Sequence, residues 1–107
     1  MIKELVLVSG KGCGLCRPVK YVLDRYITRY NNDEVGGGGF KLSLKEIDIH
    51  HAGNEHLHSL YRYDIPLVFL DDVEISRHSL SEDILHSHIK QLEESQSQSQ
   101  SDINKRE

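Results

Sequence analysis

The chain has 107 residues, enough for one domain with a single modest core and no second one. Its longest apolar runs, Leu5 to Val8 and Leu67 to Leu70, fall far short of the roughly 18 residues of a transmembrane helix, so no membrane span is expected. With 17 acidic residues against 13 basic ones and a formal net charge of −4, no basic excess is available to hold nucleic-acid phosphates.

Val6 to Val8 lie in a β-branched-rich run that predicts a strand buried on both faces. Ser9-Gly10-Lys11-Gly12 breaks it. Val19, Val22, Leu23, Tyr26, Ile27 and Tyr30 then recur at steps of three and four, which predicts an amphipathic helix. Lys20, Asp24, Arg25 and Arg29 fall on its solvated side. Asn31-Asn32-Asp33 ends that helix, and Gly36 to Gly39 read as a flexible connection. A phosphate cradle is the poorer reading there, because no Lys-Ser or Lys-Thr follows. Phe40, Leu42 and Leu44 alternate with Lys41, Ser43 and Lys45, predicting a second strand that runs through Ile47 and Ile49 with an irregularity near Glu46.

Asn54 is placed to cap a short helix carrying Leu57, Leu60 and Tyr61, which Tyr63-Asp64-Ile65-Pro66 stops. Leu67 to Leu70 form a third strand, Asp71-Asp72 a tight turn, and Val73 with Ile75 a fourth strand closing a hairpin. Ser79 with Glu82, or Ser81 alone, opens a last helix with apolar positions Ile84, Leu85, Ile89 and Leu92. The Ser-Gln alternation beyond it offers nothing to bury, so residues 95–107 read as a disordered tail and residues 1–94 as the domain.

The order strand, helix, strand, helix, strand, strand, helix is α/β: a four-stranded mixed sheet flanked by helices. The first two strands should be parallel with a right-handed crossover and the last two antiparallel. If the third strand runs antiparallel beside the first, Pro66 comes to lie against the loop that holds Cys13.

Cys13 and Cys16 sit where the first strand turns into the first helix. Two cysteines at this spacing can close a disulfide with little backbone movement. Free N–H groups at a helix start favour an anion, and the thiolate is the species that attacks a disulfide. Lys11 and Arg17 flank the pair and favour that anion further. Cys13, nearer the solvent-facing loop, is the candidate nucleophile, and Cys16, one turn inside, the candidate resolving thiol. Three other readings stand beside this one. The pair could be half of a zinc site completed by His50 and His51 or by His56 and His58, although the spacing matches no zinc finger. It could be a structural disulfide, or two inert packing cysteines. Pro18 sits in or just past the first helical turn, where proline is tolerated. Pro66 begins a strand; an ordinary trans bond is the default there, and only the fold context favours cis.

The arrangement Lys11-x-Cys13-Gly14-Leu15-Cys16, then a helix, then Asp64-Ile65-Pro66-Leu67-Val68-Phe69 with a following hairpin, resembles the thioredoxin superfamily. It is most similar to small glutaredoxin-like proteins, over about residues 3–93. The resemblance implies a thioredoxin-like fold and dithiol–disulfide exchange. Cys13 would be the nucleophile and Cys16 the resolving thiol, with Pro66 as a cis proline beside them and Lys11, Ile65 and Pro66 contacting substrate. Three places depart from the family pattern. Gly14-Leu15 stands between the cysteines instead of Pro-Tyr, Asp64-Ile65-Pro66 replaces Thr-Val-Pro, and Arg77-His78-Ser79-Leu80-Ser81 replaces the Gly-Gly turn and Asp that hold glutathione.

Seven histidines invite a metal reading, but His86 and His88, two apart on a helix, do not face together, and the His50–His58 group has only loose ligand spacing. They are read as surface residues, with His78 a weak candidate for touching an anionic substrate. The expectation is therefore a monomeric thiol–disulfide oxidoreductase in the reducing cytoplasm. It would act on protein or low-molecular-weight disulfides, with no cofactor and with glutathione as a candidate co-substrate. Two other classes stand against it: a carrier of a soft metal or iron–sulfur cluster on the same cysteines, and a non-catalytic thioredoxin-like interaction domain.

Overall fold

The computed structural model describes residues 1–35 and 39–95 with their side chains, and the last helix as far as Arg106 by its backbone. Gly36 to Gly38 of the glycine-rich connection lie outside the described residues. So does the expected tail over residues 95–107, apart from Ser95 and that backbone course.

Strand β1 (Ile2–Ser9) is central. It pairs in parallel with β2 (Lys41–Asp48) from Ile2 opposite Lys41 to Ser9 opposite Asp48. On its other side it pairs antiparallel with β3 (Leu67–Leu70), Leu5 opposite Leu70 and Val8 opposite Leu67. β4 (Val73–Arg77) closes the antiparallel edge, giving the sheet order β2-β1-β3-β4. This is the expected mixed sheet. β1 extends beyond its apolar run to include Lys3 and Glu4, because β2 pairs with its backbone there whatever the side chains, and Glu4 O also accepts from Asp71 N–H. Lys3 reaches across to Asp71 at 3.5 Å.

Helix α1 (Cys16–Asn31) follows the predicted stripe, with Val19, Leu23, Tyr26 and Tyr30 buried. Its end is fastened twice. Asp33, in the left-handed region at φ 64°, lets Asp33 N–H bond Tyr30 O and Glu34 N–H bond Arg29 O, closing the last carbonyls. The Asn31 side chain donates to Leu42 O and accepts from Leu42 N–H, both at 2.8 Å, tying α1 to β2. Helix α3 (Glu82–Arg106) starts at Ser81, whose hydroxyl accepts from Ile84 N–H. Its Leu85 and Ile89 join α1 on one face of the sheet.

Four details depart from the sequence reading. The register of β2 is unbroken at Glu46, so what is irregular there is the side chain, a carboxylate on the phase of Leu42 and Leu44. The bulge lies instead between Val68 and Phe69, in the β3–β4 pair. Helix α2 (Glu55–Tyr61) forms behind Asn54, but the Asn54 amide donates to Asp48 O rather than capping the helix. Leu60 and Ile84 remain 63% and 48% exposed, because the helices above the sheet bury a narrower stripe than the apolar spacing covers. The Asp71-Asp72 turn holds both residues at positive φ, as a two-residue hairpin of this hand requires.

Candidate functional site

Where β1 ends, Gly10-Lys11-Gly12-Cys13 makes a turn closed by Cys13 N–H to Gly10 O at 3.2 Å. Gly12 takes φ 79° there, a conformation that side-chain-bearing residues resist. Cys16 N–H then bonds Cys13 O at 3.3 Å, and Leu15 already has helical angles. Helical winding thus begins at Cys13, one tight turn ahead of α1. Pro18 is the third residue of α1, where its missing N–H breaks no bond.

Cys13 and Cys16 are joined as a disulfide, their Cα atoms 5.5 Å apart. Cys16 is buried and Cys13 half-buried. No side chain caps the helix at Leu15 and its first turn holds no acidic residue, so its N–H dipoles face the cysteines without a competing carboxylate. Both sulfur-bearing residues line an open cavity of about 590 Å³ together with Ser9, Arg17, Lys20 and Glu46. Lys11 is exposed in the turn and does not line the cavity; the two cations that do are Arg17 and Lys20.

The third strand arrives as the antiparallel register dictates. With Val8 opposite Leu67, the next pair brings Ser9 level with Pro66. The Ile65–Pro66 bond is cis, and Pro66 is fully buried. Ile65 packs against the cysteine loop so closely that a Cβ built on Gly10 would lie 2.7 Å from Ile65 Cδ1. The flanking backbone is fastened by Asp64 N–H to Tyr61 O and by His78 N–H to Pro66 O. Among the described residues, no turn or loop bond uses the Ile65 backbone groups.

The sequence reading assigns no role to Glu46, Lys20 or Arg77, and offers His50 only as a candidate zinc ligand. His50 lies beside the loop, its Nε2 3.1 Å from that same Gly10 Cβ position, and its ring meets His58 edge-on at 5.2 Å. Glu46 accepts from the Ser9 hydroxyl at 2.9 Å and pairs with Lys20 at 3.1 Å. The Lys20 ammonium is held above its usual pKa, first by that hydrogen bond and then by the carboxylate's charge. A charge on the inward phase of a strand was the available signal for Glu46. On the β4 side, Arg77 binds Glu74 and also Asp64, and the exposed His78 ring lies 3.9 Å from Asp64. Among the described residues, no group of three or more His, Cys, Asp or Glu side chains converges as a metal site.

A Cys-x-x-Cys turn thus stands at the start of a helix, with a cis proline brought toward it by the mixed sheet, as the resemblance to glutaredoxin-like proteins implies. The model of the glutaredoxin-like domain (DUF836) matches residues 4–90, and the chain belongs to that family. Among curated proteins, the search found no match. Of solved structures, one described as a malarial protein is 19% identical, covering 85% of this chain and 97% of its own, at a TM-score of 0.57. A protein of unknown function from Staphylococcus aureus is 12% identical over 85% of this chain and 91% of its own, also at 0.57. At those identities the likeness concerns the fold alone. A third, Trxlp from Edwardsiella tarda, is 13% identical over 80% of each chain at a TM-score of 0.48.

Proposed function

We propose that the protein is a thiol–disulfide oxidoreductase working through Cys13 and Cys16. The Cys13 thiolate attacks a substrate disulfide, forming a mixed disulfide and expelling one substrate thiolate. Cys16 then attacks the Cys13 sulfur, the second substrate thiolate leaves, and the Cys13–Cys16 disulfide remains. Two electrons have passed to the substrate, and an external thiol reductant restores the dithiol. The observation that carries this reading is the position of Cys13: first residue of the helical winding, half-exposed, with uncapped N–H dipoles and Arg17 beside it. Ile65, packed on the same loop, supports a role in aligning an extended substrate chain.

Glutathione is one candidate reductant and low-molecular-weight or protein disulfides are the candidate substrates. No cofactor enters the scheme, and the protein is proposed to act as a monomer in the cytoplasm, away from membranes and nucleic acid. The test is a pair of variants assayed on a chromogenic disulfide. Cys13→Ser should abolish reduction, whereas Cys16→Ser should accumulate a mixed disulfide visible as an added mass. Both variants reducing as fast as the parent protein would end the proposal.

A further inference from the structure

We infer that the outer face of α1, from Arg17 through Tyr21 to Arg25, docks an acidic stretch of the polypeptide that carries the substrate disulfide. This deepens the oxidoreductase reading above and rests on it. The sequence of α1 sets up the face. Cys16, Val19, Leu23, Tyr26 and Tyr30 turn inward to the core, and at 3.6 residues per turn the positions opposite them are Arg17, Tyr21, Arg25 and Thr28. All four are exposed, Tyr21 by 64%. Steps of four make neighbours of Arg17, Tyr21 and Arg25, so they form one continuous stripe. It starts at the residue after Cys16 and runs about 12 Å along the helix axis.

The charge of this face is opposite to that of the chain. α1 holds Arg17, Lys20, Arg25 and Arg29 against Asp24 alone, whereas the whole chain is −4. Two of these cations are drawn sideways: Lys20 to Glu46 of β2 at 3.1 Å, and Arg29 to Glu82 of α3 at 3.2 Å. Arg17 and Arg25, on the crest, form no ion pair among the described residues. Arg25 instead shares a hydrogen bond with Tyr21, the first cause holding its guanidinium above the usual pKa. Tyrosine and arginine are the side chains that most often anchor protein interfaces, and a pair already ordered loses less freedom on binding.

Two open cavities frame the stripe. The one that holds the cysteines takes in Arg17 and Lys20, and a second, of about 510 Å³, is lined by Tyr21, Asp24, Arg25, Thr28 and Arg29. A chain laid along α1 brings its disulfide to Cys13 while its acidic residues lie over Arg17 and Arg25. Guanidinium forks bind carboxylates through paired hydrogen bonds, which suits aspartate and glutamate side chains. Nucleic acid fits the face less well, because two unpaired cations on an acidic protein are too few for a phosphate backbone.

The probes are two peptides of equal length, each with one cysteine joined as a mixed disulfide to a chromogenic aromatic thiol and flanked by glutamates or by glutamines. The Cys13 thiolate of the reduced protein bonds to the peptide sulfur, the peptide–aryl S–S bond breaks, and its electron pair leaves on the coloured thiolate. At low salt the glutamate peptide should react ~10-fold faster, the lower end of electrostatic steering, and lose that lead at 1 M salt, where the screening length is about 3 Å. Arg25→Gln should keep the parent rate on the glutamine peptide and give up ~3-fold of the lead, the weight of one exposed ion pair. Arg25→Glu should abolish the lead. Lys41→Gln removes the same charge level with Ile2, at the far end of β1 from the cysteines, and should keep it. A parent protein with no lead for the glutamate peptide overturns the proposal. So does a lead that Arg25→Gln and Lys41→Gln reduce equally, since net charge would then explain it.

Binding without chemistry separates the docking face from the oxidoreductase reading. Fluorescence anisotropy of a labelled glutamate peptide, with serine in place of its cysteine, reports docking alone, and Arg25→Gln should weaken it ~3-fold. Such docking with no thiolate release from either peptide would sink the oxidoreductase reading while supporting the face. Equal binding by the parent protein and Arg25→Gln overturns the face whatever the chemistry. An oligonucleotide that displaces the labelled peptide better than the unlabelled glutamate peptide does would assign the face to nucleic acid, and a parent dimer that Arg25→Gln dissolves would assign it to a second copy; either overturns the proposal.

Discussion

Where α1 and α3 cover the sheet, a cluster of thirteen buried residues forms among the described residues, including Leu5 and Leu7 of β1, Leu23, Tyr26 and Tyr30 of α1 and Leu85 of α3, with Tyr30 stacked on Phe40 at 5.7 Å. On the α2 side the corresponding cluster of described residues has three buried members, Val8, Ile49 and Leu67, completed by half-buried Val6, Leu57, Tyr61, Ile65 and Phe69. α2 has seven residues, none of them buried, and a helix that short has no stability of its own. The site sits on the border between these regions. Cys16 is the first residue of the deeply packed helix, whereas Ile65 and His50 approach the cysteine loop from the thin side. The contrast suits the disulfide exchange proposed above: one face fixes Cys16, the proposed resolving thiol, and the other is shallow enough for the proposed substrate chain to approach.

The largest expected effect tests that asymmetry directly. Leu23→Ala, at a fully buried position on the inner face of α1, should destabilise by about 2–5 kcal/mol in denaturant titration. Leu57→Ala on α2, which removes the same atoms from a half-buried site, should lose about 1 kcal/mol or less. Equal losses would mean that the thin face carries far more of the fold than its burial indicates.

The border itself is probed by Gly10→Ala. The added methyl would stand 2.7 Å from Ile65 Cδ1 and about as near the His50 ring as a packed atom tolerates, at 3.1 Å. Ile65 or the loop must move, at roughly 1–3 kcal/mol, and disulfide reduction should fall while Cys13 remains alkylatable. Gly14→Ala, whose methyl meets nothing within 4 Å, should change stability by less than about 0.5 kcal/mol. If Gly10→Ala is as mild as Gly14→Ala, the contact between Ile65 and the loop is not a constraint.

Much of this was legible in the chain because it rests on local rules. The stripe from Val19 to Tyr30, the break at Ser9–Gly12 and the Leu67–Leu70 run each have a period or a turn residue behind them, and from their order the mixed sheet follows. The Cys13–Pro66 neighbourhood needed only one further step, an antiparallel third strand. Glu46 was visible as a fault in an alternating pattern, but its partner Lys20 reads as a solvated helix residue until the α1–β2 packing is known. His50 looked like one of several surface histidines, since nothing in spacing tells which of them lies beside Gly10. The exposures of Leu60 and Ile84 depend on how widely each helix covers the sheet, which periodicity does not report.

A smaller effect marks the thick face by its response to pH. Tyr26 is 1% exposed with its hydroxyl 2.7 Å from His86 Nδ1, and burial, aided by the charge of Glu93, pushes its pKa up to about 12. A phenol that ionises near 10 unfolded and near 12 folded holds its proton more tightly in the fold. Its contribution is therefore complete below pH 10 and lost as pH rises toward 12. Chemical denaturation between pH 9 and 12 should show stability falling across that window. Tyr26→Phe, though weaker by about 1 kcal/mol at neutrality through the lost hydrogen bond, should show a flatter decline. Parallel curves would assign the alkaline loss to other groups.

The smallest change in stability is expected at the sheet edge beside the site, where Arg77 spans Glu74 at 2.6 Å and Asp64 at 3.2 Å. All three are substantially solvated, and pairs of that kind contribute about 0–1 kcal/mol, so Arg77→Gln should barely move the unfolding midpoint. The Glu74 carboxyl, held below its usual pKa chiefly by the Arg77 hydrogen bond, should return toward that value. The consequence for chemistry is larger than for folding. Asp64 immediately precedes Ile65, and stripping it of Arg77 leaves an uncompensated negative charge next to the residue packed on the cysteine loop. The variant should react more slowly with an anionic disulfide and slightly faster with a cationic one. Both differences should shrink as salt shortens the screening length toward about 3 Å at 1 M. Rates that change equally for both reagents would point to a displaced Ile65, and the shallow side of the site would then be shaped by packing rather than by charge.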